Sequence, residues 1–261
     1  MLELKVGIQL ASLRLPFRKA LHTAAELGAD GVEIDARNDL KPRDLSRTGL
    51  RQLKKTLDDR NLRVCAVGFQ TRRGYEVVDD LDRRVEATKQ AMQFAYDLGA
   101  SVVINQVGQI PTEPGGPQWD VLVQVLTDLG RFGQRVGAML AVETGAEDAA
   151  TLRRLLDALP EGSIGINLDP GNLIVNGFSA SDAAKQLSEC VMHVHAKDGV
   201  RDLAQGRGLE TQLGRGAVDF PEILGILEEH EYRGYFTVER QHASDPVLEV
   251  GQAVQFLRSL L

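Results

Sequence analysis

Three carboxylates and an imidazole in the second half of the chain have the types and spacing to do chemistry together. They are Glu143 in AVETG, Asp169 in INLDPGN, His195 in HVHAKD and Glu239 in FTVERQ, separated by 26, 26 and 44 residues. Three oxygen donors and one nitrogen donor suit a divalent cation and leave room for substrate oxygens. By donor type the expected ion is Mn2+, Co2+ or Mg2+, with Zn2+ also accepted by such a set. Taken singly, each residue has a plainer reading, because strand-end acids cap helices and strand histidines pack in cores. Their joint placement points to a site.

The residue types define the reaction class. A proton on carbon beside a carbonyl is too weakly acidic for a bare carboxylate at neutral pH. A cation chelating the carbonyl and the adjacent hydroxyl stabilises the developing enediolate as a Lewis acid. One carboxylate then abstracts the proton, and either it or its partner returns one. Return to the neighbouring carbon isomerises a sugar, return to the opposite face epimerises it, and loss of a β-hydroxyl dehydrates it. Nothing in the residue types chooses among the three.

Such a set needs a scaffold that brings successive strand ends to one rim. Short β-branched runs predict strands at Leu4–Leu10, Gly31–Asp35, Leu62–Phe69, Ser101–Val107, Ala138–Thr144, Ile164–Asp169, Val191–Ala196 and Tyr235–Glu239. Helical periodicity fills the gaps. Val85, Ala91, Met92, Ala95 and Leu98 share a face that ends at Gly99, and Ile223, Leu224 and Leu227 follow Asp219 as N-cap and Pro221 in the first turn. Eight such units in 261 residues are about 33 residues each, the scale of a βα repeat. An echo between LGADGVEI and LGASVVI fits repetition. An open doubly wound sheet also alternates strand and helix, but QLASLRLPF follows the first strand where a Gly-rich phosphate turn would stand. The expected architecture is α/β: one (β/α)8 TIM barrel spanning 1–261. Its functional residues sit at the C-terminal strand ends, where Glu143, Asp169, His195 and Glu239 fall.

Composition removes other classes. A net charge of −7 and scattered Arg pairs (Arg72-Arg73, Arg83-Arg84, Arg153-Arg154) disfavour nucleic acid. Cys65 and Cys190 lie in apolar runs and read as buried thiols of a reducing, cytoplasmic setting. MLELKVGIQL lacks the length and flanks of a signal peptide, and no run of 18 apolar residues predicts a membrane span. The expected partner is a small carbohydrate, and a homo-oligomer is compatible with the sequence.

The runs ETG, LDPGN, HVHAKD, LGRGAVDFPEIL and YRGYFTVE resemble those of the xylose-isomerase-like barrels. That family includes sugar and sugar-phosphate isomerases and epimerases such as D-tagatose 3-epimerase, hydroxypyruvate isomerase and inosose dehydratase. The likeness runs from GIQL and DGVEID to the final FTVE and is densest after residue 138. It implies a divalent metal held by Glu143, Asp169, His195 and Glu239, with Glu143 and Glu239 also moving the substrate's proton. It picks His195 rather than His193 as the ligand, leaving His193 as a neighbour, and matches Arg201 to a substrate-contacting arginine of the ketose 3-epimerases. Those epimerases carry a His three residues after the Asp ligand. This chain has Asn172, which can hydrogen-bond a hydroxyl but cannot titrate near neutral pH.

Arg201, Asn172, His193 and Gln106 are therefore the candidate substrate-binding residues. For Gln106, Glu33 and Asp35, all at strand ends, packing or capping is the plainer role. The segment Asp198–Gly216 is the longest insertion at the predicted mouth and reads either as a solvated loop or as a lid. Its Arg201, Arg207 and Arg215 could meet a substrate anion. Trp119 and Phe132 read as helix core, and His22, His230 and His242 as surface or packing residues. Two rival readings are an apurinic endonuclease, which needs many more strand-end histidines than these five, and a non-catalytic sugar-binding barrel.

Overall fold

A computed structural model describes residues 4–201 and 208–260. Eight parallel strands close a barrel in the order β1, β10, β7, β6, β5, β4, β3, β2. Their ranges are β1 Lys5–Gln9, β2 Gly31–Asp35, β3 Arg63–Gly68, β4 Val102–Asn105, β5 Met139–Glu143, β6 Gly165–Leu168, β7 Val191–Ala196 and β10 Tyr235–Val238. Each falls within a strand expected from the sequence. Two short strands, β8 Asp198–Val200 and β9 Leu209–Thr211, form an antiparallel hairpin after β7. The extra length in the last interval thus holds local structure as well as loop.

Helices wrap the outside: α1 Phe17–Glu26, α2 Arg47–Asp58, α3 Leu81–Leu98, α4 Pro117–Val136, α5 Ala149–Asp157, α6 Pro170–Val175, α7 Ala180–Leu187, α8 Phe220–Glu229 and α9 Pro246–Arg258. Their ends follow from capping chemistry. Asp148, Ser179, Asp219 and Asp245 each accept a first-turn N–H. Gly99 and Gly137 close α3 and α4 with φ of 88° and 91°, a conformation that costs other residues. No helix among the described residues is long and apolar enough to cross a membrane.

The apolar core lies mainly between strands and helices, not inside the barrel. Ile8, Val32, Ile166, Val194 and Phe236 are fully buried against the helical layer. Inward positions instead carry small and polar groups. Gly7, Gly31 and Gly165 stand at the narrow end, and Ala66, Val102, Ile104 and Ala141 form a separate small apolar cluster. A Cβ on Gly7 would come within 2.4 Å of Thr237 Oγ1, which shows how close the opposing side chains stand. Above that plug the inward residues are Gln9, Glu33, Gln106, Glu143, Asn167, His193, His195 and Glu239, so the upper barrel is a polar cup. Cys65 is buried, Cys190 is half-buried, and both are free thiols.

Candidate metal centre

Parallel register sets the height of each functional side chain. Glu143 pairs with Asn167, Asn167 with His193, and His195 with Thr237, so Glu143, Asp169, His195 and Glu239 converge at the C-terminal rim. One potential ligand atom from each of the four lies within 4.8 Å of the others, and all four side chains are buried. His195 Nδ1 is central. It stands 3.0 Å from Glu239 Oε2, 3.2 Å from Glu143 Oε1 and 3.9 Å from Asp169 Oδ2, with Asn167 Nδ2 3.0 Å away.

Whether these residues suit a divalent cation can be tested on their unsatisfied atoms. Among the described residues Asp169 Oδ2 and Glu239 Oε2 are buried without a hydrogen-bond partner, although His195 Nδ1 stands 3.0 Å from the Glu239 oxygen as an ion-pair partner. Unsatisfied buried anionic oxygens are costly, and a cation among them would satisfy both. The set fits. Asp169 shows that its two readings are not exclusive: Oδ1 caps α6 by accepting the Asn172 N–H at 2.8 Å, while Oδ2 faces the cluster.

Charge crowding determines protonation. Burial pushes Asp169 up to about 7, with Glu239 and Glu143 adding to the shift against the pull of Lys197. Burial would also raise Glu239, but His195 and Lys197 reverse this and hold it well below the usual carboxylate range. The pair therefore divides its charge, with Glu239 ionised and Asp169 retaining a proton to near neutrality. Burial would lower His195, yet Glu33 and Glu239 hold it well above its ordinary value. Burial, aided by the charge on His195, keeps His193 neutral.

Two residues here have roles the sequence reading did not assign. Lys197 is buried, with Nζ 3.5 Å from Glu239 Oε1 and 3.8 Å from Asp169 Oδ2. The alternating pattern His193, His195, Lys197 is a readable signal for it, since every second residue of a strand faces the same way. Glu33, for which packing or capping was the plainer expectation, accepts a hydrogen bond from His195 Nε2 at 2.8 Å.

The cluster opens into a cavity of about 360 Å3, rimmed by Gln9, Ser12, Arg14, Gln70, Gln106, Arg240 and Gln241. Gln106 is on this rim and donates to Glu143 Oε2 at 3.1 Å, beside a second donation from Gln70 at 3.3 Å. The other three candidate substrate residues lie elsewhere. Asn172 sits behind Glu143, with Nδ2 3.5 Å from Oε1. His193 is buried with its ring edge-on to His195, centroids 5.6 Å apart. Arg201 is exposed, its guanidinium over Gly177, and does not line the cavity. Arg207 lies outside the described residues, and Arg215 is exposed.

The fold has counterparts among known proteins. An inosose dehydratase of Bacillus thuringiensis strain Al Hakam is 26% identical over 226 residues, covering 75% of this chain and 74% of that one. The structure of a xylose isomerase domain protein from Planctomyces limnophilus superposes with a TM-score of 0.83 at 24% identity, over 92% of this chain and 91% of that one. D-Allulose 3-epimerase from a Methylomonas species, in complex with D-allulose, gives a TM-score of 0.76 at 18% identity, over 100% and 98%. Residues 21–260 match the family model described as xylose isomerase-like TIM barrel, so with its closed eight-strand sheet the chain belongs to the xylose isomerase-like TIM barrel family.

Proposed function

We propose that this protein is a divalent-cation-dependent enzyme that moves a proton on the carbon next to a carbonyl of a polyhydroxy substrate, as a sugar isomerase or epimerase does. The observation that carries the reading is the buried Glu143–Asp169–His195–Glu239 cluster, with two unsatisfied oxygens, at the floor of an open polar cavity. Those four residues would hold Mn2+, Co2+, Mg2+ or Zn2+. When bound, the cation supplies Lewis-acid polarisation of the substrate carbonyl.

The remaining work falls to the chain's own groups. Glu143, at the end of β5, and Glu239, just past β10, both reach the cluster and are the proton carriers. Gln70 and Gln106 steady Glu143 Oε2, and Gln241 donates to Glu239 Oε1 at 2.6 Å, so each carboxylate has a fixed orientation. Neutral amides from Gln9, Gln70, Gln106 and Gln241 on the rim match hydroxyl groups, while the rim cations are engaged elsewhere, Arg14 with the Ala243 and Gln241 carbonyls and Arg240 with Glu210 and Glu249.

A dehydratase reading on the same site has two supports. One of the relatives that match three quarters of the chain is named an inosose dehydratase. At the position where the ketose 3-epimerases carry a titratable His, this chain holds Asn172 against Glu143. Both readings begin with the same proton removal.

One experiment tests the shared step and separates the products. The protein is incubated with Mn2+ in D2O with ketoses, aldoses and inososes. Deuterium uptake with an intact hydroxyl count indicates isomerisation or epimerisation, and loss of water with a new conjugated chromophore indicates dehydration. Glu143→Gln and Glu239→Gln should each slow exchange at least about 100-fold while the far-UV spectrum is unchanged. Normal exchange in both variants would sink the acid–base assignment.

A further inference from the structure

We infer that Glu33 is the positioning residue of the centre: it holds the His195 ring by Nε2 so that Nδ1, and only Nδ1, is offered to the cation. This rests on the metal-dependent reading above and deepens it.

The two ring nitrogens of His195 have different surroundings. Nδ1 faces Glu143, Asp169 and Glu239, whereas Nε2 is 2.8 Å from Glu33 Oε2. A histidine that ligates through one nitrogen needs an acceptor on the other to fix its tautomer and ring angle, and a carboxylate does this best. Glu33 is 3% exposed and comes from β2, remote in sequence from the four ligand strands.

Its other oxygen is also held. Glu33 Oε1 accepts from Gln9 Nε2 at 3.1 Å, Gln9 Oε1 accepts from Ser12 Oγ at 2.9 Å, and Ser12 Oγ accepts the Arg240 N–H at 3.0 Å. Arg240 directly follows Glu239, so the chain of bonds leaves one side of the cluster and returns to the other. Space is reserved for the carboxylate as well, since a Cβ on Gly68 would lie 3.2 Å from Glu33 Oε1. His193 Nε2 stands 3.8 Å from Glu33 Oε2 without a hydrogen bond, which leaves that oxygen to His195.

A double-mutant cycle read by metal affinity tests the assignment. Mn2+ affinity is measured calorimetrically for the wild type, Glu33→Ala, Glu33→Gln, His195→Ala and the Glu33→Ala/His195→Ala pair, and Co2+ absorption reports the ligand set. Glu33→Ala should weaken Mn2+ binding about 10- to 100-fold and alter the Co2+ spectrum. Glu33→Gln, which keeps an acceptor, should recover part of the loss. In the His195→Ala background, Glu33→Ala should change affinity less than twofold, because its effect runs through the ring.

Equal affinity in wild type and Glu33→Ala, or full additivity in the cycle, would overturn the positioning role while leaving the metal centre standing. Wild-type binding of two equivalents, one of them lost in both Glu33 variants, would also overturn it by making Glu33 a ligand. A wild type that binds neither Mn2+ nor Co2+ would instead reject the metal-dependent reading itself.

Discussion

At the scale of single residues, the centre is a problem of charge compensation, and Lys197 is its most exposed dependency. Its ammonium is buried and faces Glu239 and Asp169 from 3.5 and 3.8 Å, and those carboxylates together hold its pKa above the ordinary value in spite of burial. Removing one partner of a buried ion pair leaves the other uncompensated, at a cost of about 3 kcal/mol or more. Lys197→Met should therefore destabilise the metal-free protein by about that amount. A bound cation supplies the missing positive charge, so the deficit should shrink on adding Mn2+. Thermal unfolding of both proteins with and without Mn2+ checks this, and a deficit of equal size in both conditions would show that Lys197 acts through packing alone. The same scale shows what sequence can and cannot reveal. Glu143, Asp169, His195 and Glu239 were readable because strand-end position is a local property, set by the hydrophobic run that precedes each residue. Glu33 stands in the middle of β2, and its bond to His195 spans 162 positions and exists only after the barrel closes. For Arg201 the position after His195 is local, while its exposed placement over Gly177 is set by the tertiary structure around β8.

At the scale of elements, the segment after β7 is organised by one buried side chain. Asp198 accepts backbone N–H groups from Gly199 at 2.8 Å, Gly214 at 3.0 Å, Gly216 at 2.8 Å and Val218 at 3.1 Å. A Cβ on Gly216 would come within 2.1 Å of Asp198 Oδ1, so that glycine is required by the close approach. The hairpin is pinned at its far strand as well, where Glu210 accepts the N–H groups of Gln241 and His242 and pairs with Arg240 at 2.8 Å. Since Arg240 and Gln241 line the cavity, the hairpin helps to set the rim. Asp198→Ala would leave these four N–H donors without their acceptor and should cost about 3 kcal/mol, chiefly by loosening 208–218. Hydrogen exchange in that segment should rise while the protection of β1 to β6 is retained. Uniform loss of protection across the barrel would mean that Asp198 supports the whole fold instead. The strands themselves were legible because each is a short, largely apolar run standing between longer segments of helical periodicity. The hairpin was not, because DGV and LET are too short and too polar to carry a period-two signal.

At the scale of the whole molecule, net charge and fold meet in the pH dependence of cation binding. The chain carries −7, and three of its carboxylates are packed with a histidine and a lysine at one end of the barrel. A cation must displace whatever protons the cluster holds. Asp169, raised to about 7 by burial and its acidic neighbours, is protonated below that pH, and Glu33 and Glu239 hold the His195 imidazolium well above the ordinary histidine value. The sign follows directly. For both groups the folded-state pKa is raised, so their contribution to metal-free stability is full at low pH and is lost as pH rises through those values. The cation binds the deprotonated forms, so its affinity grows over the same range, roughly tenfold per pH unit for each proton displaced. Mn2+ at 1,000 times its dissociation constant adds about 4 kcal/mol. For a chain of this length that corresponds to a rise in Tm of roughly 10 °C. The Mn2+-induced rise in Tm at fixed cation concentration should therefore be small at pH 5.5 and grow steadily to pH 8. Taking the difference cancels groups remote from the centre, and EDTA should abolish it. In Asp169→Asn the proton to be displaced is gone, so the rise should be smaller at pH 8 but flatter between pH 5.5 and 7. A wild-type Tm rise that is level with pH would mean that the metal-free cluster holds no proton to displace on either Asp169 or His195, and that Lys197 balances its charge instead.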